Sequence, residues 1–235
     1  MNILSLESST RQLSVALWLD GDLFERTESI PNGGSERLLP WVSEMFAETG
    51  TDFGNLDGIA FGTGPGGFTG LRLACGVAQG LAFGLDLPVL GVSSLEALAL
   101  QAHHEGLARA EYLFACLDAR MGEVYCAAYL IHDDQSETML APMVGTPQSA
   151  AMPRAPDGRK WVGCGDGFVS YPSLLAGQLA EIRADCWPTA AAVARLAAPR
   201  LCRGEGVAAG AVAPLYVRDK VALTTAERMA RGGLN

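Results

Sequence analysis

One unit occurs twice along this chain of 235 residues. An apolar run ends in a carboxylate, a short polar turn follows, and a second apolar run returns. The first copy is Asn2–Leu6 ending at Glu7, the turn Ser8-Ser9-Thr10-Arg11, and Leu13–Leu19. The second is Tyr112–Leu117 ending at Asp118, the turn Arg120-Met121-Gly122, and Glu123–Ile131. Repetition of a strand–turn–strand unit at this distance argues for internal duplication and two lobes. The expected division is residues 1–105 and 106–213. The closing segment 214–235, with apolar Leu215, Tyr216 and Val217 before a short polar helix, is expected to pack back near the first lobe.

Between the two copies the chain reads β-β-β-α-β-α-β-α. Asp20-Gly21 marks a hairpin and leads into a polar edge strand, Asp22–Ser29. Pro31-Asn32-Gly33-Gly34 breaks the chain, and Ser35 caps a helix running to about Thr49. Leu56–Phe61 is a strand, Thr69–Leu85 a helix rich in Ala and Gly, and Leu87–Val92 a strand capped into the next helix by Ser93 or Ser94. In the second half, Met139–Val144 and Trp161–Cys164 read as strands, Gly145–Arg159 as a long loop, and Thr189 to about Leu201 as an Ala-rich helix. The fold class is therefore α/β, with mixed sheets flanked by helices. The element order resembles the ribonuclease-H-like half-domain of the actin, sugar-kinase and heat-shock ATPase (ASKHA) superfamily.

Charge narrows the partners. With 17 basic against 26 acidic residues the net charge is −9, and only Lys160 and Lys220 are lysines. Such a surface repels a phosphate backbone, so tight nucleic-acid binding by this chain alone is disfavoured. Neither a secretory signal nor a membrane span is expected, because the apolar runs are short or interrupted. The six cysteines lack CxxC spacing and mostly sit in apolar segments, which points to free thiols in a reducing cytoplasm and to no zinc site.

The most specific stretch is Thr63-Gly64-Pro65-Gly66-Gly67-Phe68-Thr69-Gly70-Leu71-Arg72. It leaves a strand and opens a helix. Gly64, Gly66, Gly67 and Thr69 are candidates for a nucleotide or phosphate loop, since glycines admit close approach and helix N-termini hold anions. The competing reading, a tight strand-to-helix turn, is favoured, because no Lys-Ser/Thr pair follows as a Walker loop requires. Along the next helix, Gly76 and Gly80 alternate with Ala74, Ala78 and Ala82, leaving room for another backbone. Glu7 and Asp118 sit at strand ends and are candidate vestigial carboxylates, with a turn or cap role as the plainer reading. His103-His104-Glu105 and His132 read as surface residues, and no Gly-x-Ser-x-Gly elbow is present.

Several stretches together resemble one family, TsaB (also called YeaZ). They are Ile3–Thr10, Ser35–Pro40, Gly64–Leu73, Leu117–Tyr125, and Pro214–Arg218 with Val221-Ala222. They cover nearly the whole chain in order. The sequence departs from the family pattern at Glu7, where Asp is usual, and at Gly34, where many relatives carry His.

The resemblance implies two actin-like lobes and a non-catalytic subunit that binds and activates TsaD, which transfers a threonylcarbamoyl group to the adenosine beside the anticodon. It implies TsaE as a further partner, tRNA contact only through the complex, and a homodimer when the chain is alone. It implies no intrinsic cofactor or metal, with ATP or ADP at the interface with TsaD. Ser94 and Leu98 stand where TsaD carries two metal-binding histidines. The helices Ser35–Phe46 and Thr69–Leu85 are the expected docking elements, with Leu38, Leu39, Val42, Leu71, Ala74, Val77 and Ala78 as candidate contacts. Two other readings stand beside this one: a stand-alone phosphotransferase or ATPase of the superfamily, and a peptidase, which lacks a nucleophile–base pair.

Overall fold

A computed structural model of the chain describes residues 1–30, 34–105, 112–132, 134–156 and 158–218. The Pro31–Gly33 break, residues 106–111 and the polar helix expected after Val217 lie wholly or mainly outside the described residues.

The two copies of the repeated unit seed two sheets of identical topology. In the first, β1 (Asn2–Glu7), β2 (Gln12–Leu19) and β3 (Asp22–Ser29) form an antiparallel meander, and β4 (Gly58–Gly64) and β5 (Val89–Ser93) extend it in parallel, in the order β3-β2-β1-β4-β5. In the second, β6 (Tyr112–Arg120), β7 (Glu123–His132) and β8 (Gln135–Gly145) repeat the meander, and β9 (Trp161–Cys164) and β10 (Leu179–Arg183) repeat the parallel pair, in the order β10-β9-β6-β7-β8. β1 and β6 are buried along nearly their whole length because each is central. β3 is polar and exposed because it is an edge.

Helices α1 (Gly34–Thr49) and α2 (Phe68–Leu85) cover one face of the first sheet, in a core built from Leu4, Leu6, Val15, Trp41, Phe46 and Phe61 among others. The other face meets α3 (Ser94–His104) and α5 (Ala190–Cys202). These two helices are exchanged between the halves. α3 follows the first sheet in sequence but packs on β6 and β7, whereas α5 follows the second sheet but packs on β1, β2 and β4. The N-terminus of α5 is even capped by the first lobe: Ala190 N donates to Ser14 Oγ at 2.8 Å and Ala191 N to Glu25 Oε1 at 2.8 Å, while Thr189 caps Ala192. One apolar cluster consequently joins Ile3, Val92 and Leu95 to Leu113, Tyr129 and Val193. The expected division near residue 105 separates the sheets, yet this shared layer crosses it.

The structure differs from the sequence reading in details. The strand β10 and a single helical turn, α4 (Gly167–Ser170), were not expected, and β8 begins at Gln135 rather than Met139. Five cysteines are buried free thiols and Cys202 is exposed. Burial pushes the Cys126 thiol up to about 11, so it is inert as a nucleophile at neutral pH.

Candidate functional site

The glycine-rich turn joins β4 to α2 and lies against the first hairpin turn. A Cβ on Gly66 would overlap the carbonyl of Ser9, and one on Gly70 the carbonyl of Ser8. The Gly67 amide donates to Ser9 O at 2.6 Å, and Ser8 Oγ donates to Gly70 O at 2.8 Å. Gly64 adopts φ +105°, a conformation that favours glycine, and the side chain of Leu71 fills the space beside it. Thr69 is exposed in the first turn of α2. Gly64, Gly66 and Gly67 thus serve chain packing: the space that a missing Cβ leaves is taken by the protein itself, and the Gly67 amide is already engaged. Gly66, Gly67, Thr69 and Gly70 nonetheless line the cleft between the lobes, with Gly67 and Thr69 exposed.

Glu7 is fully buried. Its carboxylate accepts from Ser9 N at 2.6 Å and Ser94 Oγ at 2.8 Å, and Ser94 Oγ accepts from Gly64 N at 3.1 Å. The group therefore binds the hairpin turn, the end of β4 and the start of α3 into one knot. Burial pushes its carboxyl above the usual range, and the hydrogen bonds from Ser9 and Ser94 pull the other way. As a vestigial metal or nucleotide carboxylate Glu7 is corrected to an internal anchor, because it does not line the cleft. Leu98, like Ser94, is wholly buried.

Between the lobes lies a cleft of about 820 Å³, lined by the two hairpin turns, the start of α2 and the C-terminal segment. Asp118 does line it, where its carboxylate accepts from Arg120 N at 2.8 Å and from the Arg120 guanidinium at 3.2 Å. Asp166 accepts from Asp118 N at 3.0 Å, and burial pushes its carboxyl up. Across the cleft the Arg11 guanidinium lies 4.6 Å from the Trp187 ring centre. The cleft has volume for a nucleotide, and the glycine-rich turn forms part of its wall.

The expected interface residues divide sharply. Leu38, Val42, Leu71, Ala74 and Ala78 are buried in the chain's own core, under α1 and α2, and cannot touch a partner; these five are corrected to core residues. The reason is phase: they lie at helical spacing on the faces turned to the sheet. Val77 is half-buried against that core, and Leu39 is exposed. The outward face of α2 carries instead Phe68, Arg72, Gly76, Gly80, Phe83 and Gly84, with Phe83 84% exposed and Phe68 46%. A Cβ on Gly76, Gly80 or Gly84 would meet no atom within 4 Å. Phe68, Phe83, Gly84, Arg11, Trp187 and Asp166 were not singled out from sequence. On α2 spacing gives no signal for the outward face, because small or apolar residues occupy every side of the helix.

This geometry has close counterparts. The TsaD family model, described as tRNA N6-adenosine threonylcarbamoyltransferase, matches residues 33–224. The Escherichia coli (strain K12) tRNA threonylcarbamoyladenosine biosynthesis protein TsaB is 34% identical, over 94% of this chain and 96% of that protein. The Haemophilus influenzae TsaB is 34% identical over 94% of this chain and 95% of its own length. The solved structure of YeaZ from Pseudomonas aeruginosa superposes with a TM-score of 0.85 at 38% identity, covering 92% of this chain and 99% of that one. The two five-stranded mixed sheets with flanking helices are of the actin-like α/β type, and the chain belongs to the TsaB (YeaZ) family.

Proposed function

We propose that this chain acts in tRNA threonylcarbamoyladenosine biosynthesis as a non-catalytic subunit that docks on a TsaD-type transferase and activates it. The observation that carries the proposal is the outward face of α2. The helix is long and apolar enough to cross a membrane by length and composition, yet only 28% of it is buried in the chain. Apolar surface of this kind is covered in a working protein. Gly76 and Gly80 leave a bare strip of backbone between Phe68 and Phe83, which Gly84 extends, a shape that admits a second helix at close range. Lipid would have no use for such a strip. Leu39 on α1 adds a further exposed apolar contact.

The same face makes a second copy of this chain the natural occupant when the transferase is absent. TsaE joins the assembly, and tRNA is met only through it, as the net charge of −9 favours. ATP or ADP binds at the interface with the transferase, where the glycine-rich turn of this chain lines the cleft. The buried Glu7 and Ser94 support a role without chemistry of its own.

The test is co-purification with TsaD of the same organism, followed by transfer to tRNA with and without this chain. A stable complex and a requirement for both proteins are expected. Elution apart from TsaD, with ATP hydrolysis by this chain alone, would overturn the proposal and favour a stand-alone phosphotransferase.

A further inference from the structure

The described C-terminal segment runs across the mouth of the cleft and grips both lobes. On the first lobe, Gln79 Nε2 donates to Val212 O at 3.0 Å and Leu215 N donates to Thr63 O at 2.8 Å. Tyr216 lies against the docking helix: its ring centre is 5.6 Å from that of Phe68, and its hydroxyl accepts from Arg72 Nε at 3.2 Å. Two residues later the chain reaches the second lobe. Arg218 donates to Ala119 O at 3.0 Å and to Glu123 Oε2 at 2.5 Å, and lies 5.8 Å from the centre of the Tyr125 ring. Ala119 and Glu123 flank the β6–β7 turn, where Arg120 and Met121 adopt positive φ.

Phe68 and Arg72 therefore belong to two structures at once. They are part of the exposed face of α2, and they hold the ring and hydroxyl of Tyr216. The Arg72 guanidinium is stacked 3.7 Å from the Phe68 ring centre, a cation–π contact that favours this paired arrangement. A body seated on this face contacts both and must fix or displace Tyr216. Only Val217 separates Tyr216 from the Arg218 clamp. Five residues of chain, Pro214–Arg218, thus link the face of α2 to a turn on the other lobe.

We propose that Pro214–Arg218 is a strap that couples docking on α2 to the β6–β7 turn, so that partner binding sets how firmly the second lobe is held across the cleft. This rests on the docking reading above and adds the means by which docking is felt at a distance. Linkage makes the effect reciprocal: whatever loosens the Arg218 clamp weakens docking by the same free energy by which docking tightens the clamp.

The test is hydrogen exchange of the backbone amides of residues 119–124 in the full chain, free and bound to TsaD of the same organism. Docking is expected to slow exchange by about threefold or more in the unaltered chain. It should leave exchange unchanged in Arg218→Ala, which still binds. Tyr216→Phe keeps the ring against Phe68 and loses the hydrogen bond from Arg72. It is expected to reduce the slowing, and it serves should Arg218→Ala not fold. Equal slowing in Arg218→Ala, or none in a wild-type complex that has formed, would overturn the coupling while leaving docking intact. Failure of the wild-type chain to bind overturns the docking reading, and the coupling with it.

Discussion

Gly80→Arg separates the two roles a glycine on α2 can have. In the isolated chain nothing lies within 4 Å of a Cβ at Gly80, which is exposed in the middle of an 18-residue helix. Replacing glycine there removes its conformational freedom in the unfolded state, and arginine favours helix by about 0.7 kcal/mol over glycine. For a chain of this size that is a rise of roughly 2 °C in Tm. Docking should respond in the opposite direction. A long charged side chain on the bare strip holds an approaching helix away, and overpacking of this kind costs about 1–3 kcal/mol, or roughly 5- to 150-fold in affinity. Thermal melts of the isolated chain at several concentrations, beside titration against TsaD, read the two effects separately. A lower Tm at high dilution would show that Gly80 is packed in the monomer. Undiminished affinity with a raised Tm would show that this face is not where the partner sits.

Gly70→Ala should behave unlike any change on that strip: its methyl meets the Ser8 carbonyl, and a loss of about 1–3 kcal/mol in denaturant melts is expected. Leu38→Ala, in the core under α1, should cost about 2–5 kcal/mol of stability and leave the affinity of the folded protein for TsaD unchanged in titration. For Glu7, burial raises the carboxyl of the folded state, so folded protein keeps a proton that unfolded protein releases. The stability this gives is full below the ordinary carboxylate value and is lost as pH rises through the raised one. Glu7→Gln should therefore gain stability relative to wild type as pH rises across that window, whereas Glu7→Ala should lose it at every pH by orphaning Ser9 N and Ser94 Oγ; melts between pH 4 and 8 check both. A fragment of residues 1–105 is expected to lack a cooperative thermal transition, because the face that α5 covers would be bare.

What could be read in advance follows from where pattern and packing agree. The repeated unit was legible because apolar runs ending at Glu7 and Asp118 fix two central strands, and the parallel additions then follow ordinary sheet rules. β10 was not, since only Leu179 and Ile182 among its large residues are apolar and one edge of the strand is open. The core side of α1 was marked by Leu38, Trp41, Val42, Met45 and Phe46, which also shows why Leu38 and Val42 were poor interface candidates. On α2 the pattern fails for a physical reason. Small or apolar residues occupy every side of the helix, so periodicity cannot say which face meets the sheet. Tertiary packing turns Ala74 and Ala78 inward and Gly76, Gly80 and Phe83 outward. The exchange of α3 and α5 had no local signal, because both are apolar helices that either sheet could bury.

The knot around Glu7 bears most directly on whether this chain works alone. Chemistry at a strand end needs a carboxylate that a ligand can reach. Here the carboxylate turns inward onto Ser94. Ser94 is small enough to sit beside both Glu7 and the Gly62 backbone, where even a Cβ on Gly62 would overlap the Glu7 carboxylate. Each of the two side chains is held by the other through the Ser94 Oγ–Glu7 Oε2 hydrogen bond. A histidine at 94 would have no space beside Glu7 and no exposed partner, since Leu98 one turn on is itself in the core. Turning the Glu7 carboxylate into the cleft would require rebuilding the contacts of β1, β4 and α3 at once. The arrangement is instead suited to stiffness: the same hydrogen bonds that hold Glu7 away from the cleft fix the hairpin turn against which Gly66 and Gly70 pack, and so set the start of α2.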